Sequence, residues 1–109
     1  MTIKIPDSLR IGNQTYAVHI VERQQFASGG EDSCSGWVNY KTVEIFVRND
    51  LAVEHQREVL MHEALHALLA FINQPSGGDS REDFVEPFAQ TLDLFLQENR
   101  EALNGLYGK

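Results

Sequence analysis

The sequence predicts an α+β domain in which a small twisted antiparallel sheet of two hairpins packs on a pair of helices. Three observations carry this. Through residues 1–50 apolar and polar side chains alternate with the period of two that belongs to strands. From Val53 to Ile72 the chain has neither Gly nor Pro, as a long helix requires. After a Gly- and Pro-containing break, apolar residues recur at helical spacing once more. At 109 residues, the chain is long enough for one domain with a modest core.

Ile3 and Ile5 alternate ahead of Pro6. Leu9-Arg10-Ile11 leads into the turn-forming Gly12-Asn13-Gln14, and Thr15 to Val21 is β-rich, so Leu9 to Val21 reads as a hairpin. Phe26 to Ser33, with Ser28-Gly29-Gly30, reads as a loop. Gly36 to Tyr40 and Thr42 to Arg48 form a second hairpin, with Val43, Ile45 and Val47 on one face and Thr42, Glu44, Phe46 and Arg48 on the other. Asn49-Asp50 is a cap region for the first helix. Projection of Val59 to Ile72 places apolar side chains at nearly every angle, the pattern of a helix enclosed in the interior. Asn73 to Asp79 breaks that helix, and Ser80-Arg81-Glu82-Asp83 resembles a capping box. The second helix carries the stripe Phe84, Val85, Phe88, Ala89, Leu92, Phe95 and Leu96, and Pro87 is expected to kink it or to mark a late start. The single domain 1–109 thus divides into a β-rich part (1–50), a helical part (51–99) and a frayed tail (100–109).

Composition narrows the function. A formal charge of −7 argues against direct nucleic-acid binding, which needs a basic face. A lone cysteine, Cys34, forms no internal disulfide, the N-terminus lacks the apolar stretch of a signal peptide, and the longest apolar run, Ala67 to Ile72, is too short for a membrane span. A cytoplasmic protein is expected, with no membrane partner.

Within the first helix lies His62-Glu63-Ala64-Leu65-His66, an H-E-x-x-H pattern. Residues four apart share a helix face, so both imidazoles reach one metal ion, and Glu63 is placed to handle the proton of its water. The predicted cofactor is one Zn2+, with His62 and His66 as ligands and Glu63 as catalytic base. A zinc hydrolase uses a third protein ligand and an open position. Asp79, Glu82, Asp83, Glu86 and Asp93 are the acidic candidates, and projection of the second stripe favours Glu82 as metal ligand. Glu86, one turn on, is assigned to hold a ligand histidine by hydrogen bond, or to replace Glu82 as third ligand. Tyr40, His19 and His55 are candidates for stabilising an oxyanion. Trp37 and Phe46 are candidates for lining a pocket, and Cys34 for a fourth ligand. The bland alternative buries both histidines in the core and leaves Glu63 at the surface.

On these residues the chain resembles the small gluzincin-type metallopeptidases, in particular the ImmA/IrrE-like family and its compact phage-encoded members. The likeness rests on the strand Thr42 to Arg48, the helix Arg57 to Leu68 bearing H-E-x-x-H, the Gly-rich break and Glu82 to Ala89. It implies a zincin-like fold and a zinc-dependent metallopeptidase, acting in the cytosol (the host's, for a phage-encoded member) on a protein or peptide substrate such as a regulator. Gluzincins carry E-x-x-x-D on the second helix; here Glu82-Asp83-Phe84-Val85-Glu86 reads E-x-x-x-E, and Pro87 is a further departure. The alternative function is a catalytically silent, zinc-stabilised interaction module, and a metal-free interaction domain is the second rival.

Overall fold

The computed structural model describes residues 2–22, 35–72 and 81–108, with side chains of the last stretch described from residue 85. The elements are β1 (Ser8–Ile11), β2 (Gln14–Val21), β3 (Gly36–Asn39), β4 (Glu44–Arg48), α1 (Val53–Ile72), α2 (Arg81–Glu98) and α3 (Arg100–Tyr107). The fold is α+β, and both expected hairpins are present. β1 pairs with β2 and β3 with β4, each antiparallel.

The sheet itself differs from expectation. Its order is β1-β2-β4-β3, and the hairpins join through a parallel β2–β4 pairing, Val18 opposite Ile45 and Ile20 opposite Val47. It is therefore mixed, not antiparallel. Residues 2–6 form no strand, although Ile3 and Ile5 pack on the core and Lys4 donates its amide to the Gly105 carbonyl at 2.8 Å. Gly12 and Asn13 make the two-residue β1–β2 loop, with Gly12 at φ 64°, the first position of a type II′ turn. A side chain at Gly12 would also collide with the ring of Phe71 at the end of α1.

One sheet face carries the core. Leu9, Ile11, Tyr16, Val18, Ile45 and Val47 meet Val59, Leu60, Ala64, Ala67 and Leu68 of α1, with Phe95 of α2 and Leu106 of α3. Each large apolar side chain so enclosed contributes about 1.5–3 kcal/mol. The other face presents His19, Phe46 and Trp37, cross-strand neighbours stacked at centroid distances of 5.2 and 5.0 Å.

Two expectations about the helices are corrected. α1 is not enclosed: Leu65, Leu69 and Phe71 are exposed while Leu60, Ala64 and Leu68 are sealed, because one sheet can cover only one side of a helix. The tail is not frayed. It forms α3, anchored by the fully buried Leu106 and by Arg57, which stacks on the Tyr107 ring and donates to the Leu106 carbonyl at 3.3 Å. α2 runs through Pro87 without ending there. Among the described residues no helix is long and apolar enough to cross a membrane.

Candidate metal centre

The motif lies in the third turn of α1, and the helix's rotation decides which of its polar groups faces in. Glu63 stands about 100° round the axis from His62, on the side of Val59 and Ala67, and is only 8% exposed. His62 and His66 lie on the exposed side. This inverts the bland alternative, which put the histidines inside and the glutamate out. It also corrects the expected enclosure, since the site is open to solvent on the histidine side.

The two imidazoles meet edge to face, with their Nε2 atoms 3.1 Å apart. Two zinc–nitrogen bonds at the tetrahedral angle require about 3.3 Å between the nitrogens. The observed contact is a hydrogen bond between the two imidazoles, and its length is close to the spacing a shared ion would need; nitrogen donors of this type suit zinc. Glu63 accepts no hydrogen bond from the described residues. Its carboxyl is pushed above the usual carboxylate range by burial, with His62 and His66 pulling part of the way back.

β3 runs beside this helix face because Gly36 permits it. A Cβ there would stand 2.6 Å from Val59 Cγ1, 2.7 Å from the Phe46 carbonyl oxygen and 3.5 Å from Glu63 Cγ. Between strand and helix lies a cleft of about 400 Å³ lined by Ser35, Gly36, His55, Glu58, Val59, His62 and Glu63. Motif reasoning passed over Gly36 and Glu58. The cue for Gly36 was a glycine opening a strand, which often marks close approach of another segment. Glu58 is legible as the residue one helical turn before His62.

The other candidates divide clearly. Glu82 belongs to the first turn of α2, but its side chain and that of Asp83 lie outside the described residues, as do Asp79 and Cys34. Glu86 is exposed on α2, and Asp93 accepts a hydrogen bond from Gln97 at 2.8 Å. Among the described residues no third His, Cys, Asp or Glu completes the histidine pair. His19 is on the far face of the sheet, bound to Glu44 at 2.9 Å, and so is not brought to the motif. Trp37 and Phe46 stack on that same face rather than lining the cleft. His55 does line it, but seven residues before His62 it is about 10 Å along the axis, too far to share a reacting atom. Tyr40, in the β3–β4 turn, is half exposed, and its phenol is raised by burial and, to a lesser degree, by the charge of Glu63. That coupling puts it within electrostatic range of the site. No family model, curated protein or solved structure matches this chain.

Proposed function

We propose that this protein is a zinc-dependent metallopeptidase that hydrolyses peptide bonds of a protein substrate, such as a regulator, in the cytosol. The observation that carries the reading is the convergence of the His62 and His66 nitrogens at 3.1 Å beside a buried Glu63 that accepts no hydrogen bond from the described residues. His62 and His66 hold the ion, Glu82 is the third ligand, and Glu86 supports a ligand histidine or takes the place of Glu82. When bound there, zinc supplies a Lewis acid that acidifies water towards neutral pH and polarises a carbonyl.

Glu63 does the proton work. Its raised affinity for a proton suits it to accept one from attacking water and to pass it to the leaving amine. Burial keeps that carboxylate from being spent on bulk water or on a lysine. β3 offers a partner for an extended substrate, since an edge strand binds peptide by main-chain hydrogen bonds. Tyr40, whose phenol feels the charge of Glu63, is the candidate to assist a developing oxyanion.

Zinc titration and a matched variant test this together. The wild type is expected to bind one zinc per chain, to gain thermal stability from it, and to cleave unfolded protein. Glu63→Gln should keep the zinc and lose roughly 100-fold or more in turnover, the usual range for removing a general base. Failure to take up stoichiometric zinc at neutral pH would refute the metal site. Zinc uptake without any Glu63-dependent cleavage would leave the silent, zinc-stabilised module as the function.

A further inference from the structure

We propose that Glu58 makes the cleft selective for a basic side chain, Lys or Arg, close to the scissile bond. This deepens the peptidase reading and rests on it for the position of that bond. Glu58 precedes His62 by four residues, so it occupies the same face of α1 about 6 Å along the axis. An extended peptide advances about 3.3 Å per residue. A side chain one or two positions from a carbonyl at the His62–His66 pair therefore comes level with Glu58.

The charges of the cleft favour a cation there. Among the described residues its lining contains the carboxylates of Glu58 and Glu63 and no Lys or Arg. Glu63, nine-tenths buried and accepting no hydrogen bond from the described residues, faces the same space and is committed to proton transfer. A divalent ion, one carboxylate ligand and Glu63 sum to zero charge, which leaves Glu58 as the uncompensated one. Nor is Glu58 neutralised from within α1. The one Lys or Arg of that helix, Arg57, is turned away to Tyr107 and the Leu106 carbonyl. No ion pair to Glu58 is formed by the described residues, and its neighbours one turn away are Glu54, His55, Met61 and His62. Beyond His62 the same exposed side of the helix carries the apolar Leu65 and Leu69, so the acidic character is confined to one side.

The test uses pooled fluorescent decapeptides with randomised flanks and one fixed central Lys, Ala or Glu. Their binding is measured on zinc-loaded Glu63→Gln protein, and their cleavage on zinc-loaded protein with Glu63 intact. The Lys pool is expected to be preferred over the Glu pool by about fivefold or more, the upper range for a solvent-exposed ion pair. Glu58→Gln should erase the preference and Glu58→Lys reverse it. Glu101→Lys, an equal charge change on exposed α3 outside the cleft, should leave the preference in place. Equal binding of the pools, no response to either Glu58 variant, or an equal response to Glu101→Lys would overturn the assignment. Preserved, Glu58-dependent binding with no cleavage would uphold Glu58 and instead refute the hydrolase.

Discussion

Along β1, one edge of the sheet, the outward amide and carbonyl of Arg10 are both taken up by the side chain of Asn99. The amide donates to Oδ1 at 2.7 Å, and Nδ2 donates to the carbonyl at 2.7 Å and to Phe95 at 2.8 Å. Along β3, the other edge, the Arg48 amide donates to Ser35, so ladder parity turns the polar groups of Gly36 and Val38 outward. None of the described residues bonds to those groups. Unpaired edges invite another strand, and this protein covers the one remote from its motif at Arg10 with a buried asparagine. The β3 edge, to which none of the described residues bonds, runs beside Glu63. The difference separates an edge covered by the protein's own side chain from the edge that the proposed peptidase reading would use to seat a chain to be cut.

Val38→Pro attacks the open edge and has the largest expected effect. Its amide points away from β4, so proline there keeps every ladder bond, as edge strands allow. An incoming peptide loses a donor and meets the ring. Cleavage of a peptide pool is expected to fall about a hundredfold, while melting temperature and zinc uptake change little. Unaltered cleavage by a well-folded Val38→Pro protein would mean that substrate does not lie on β3.

Asn99→Leu attacks the sealed edge, and the expectation is the converse. Three hydrogen bonds are lost, and the Arg10 amide and carbonyl are left without the partner that covers them. Stability should fall by about 2–3 kcal/mol, read by denaturant unfolding, with turnover per folded molecule and zinc stoichiometry unchanged. A loss of under about 0.5 kcal/mol, the level of an ordinary surface change, would show that Asn99 is not what closes this edge.

Much of this arrangement was legible from local pattern, and the rest was not, for definable reasons. The bounds of α1 follow from the absence of Gly and Pro between Val53 and Ile72, and each hairpin from its own turn. The parallel β2–β4 pairing has no local signature, because strands alternate with the same period whichever way they pair. The burial of α1 misled because apolar residues at all angles do not say which face a four-stranded sheet will cover. The histidines were easy to find as candidate ligands and hard to place, since their exposure depends on that same rotation. Asn99 reads as a helix terminator, and its hold on a strand 89 residues away is visible only in three dimensions. Trp37 and Phe46, candidates for lining a pocket, do not line the cleft, because the face they share is the one turned from the helices.

The smallest effect concerns Glu63 itself, where the open edge meets a buried charge. In the metal-free protein its carboxyl is raised, first by burial, so the folded state holds the proton more tightly than the unfolded chain does. Its favourable contribution is therefore complete below the unfolded carboxylate pKa and is lost as pH rises through the raised folded value. Above that raised value the metal-free wild type carries a buried charge that Glu63→Gln lacks. The variant is expected to melt higher by a few degrees, about what 1 kcal/mol is worth in a domain of this size. The gap should narrow on acidification and close when zinc is added, because the ion stabilises the charged carboxylate. A variant that melts lower than the wild type at neutral pH without metal would show that Glu63 is a structural partner rather than a base held in reserve.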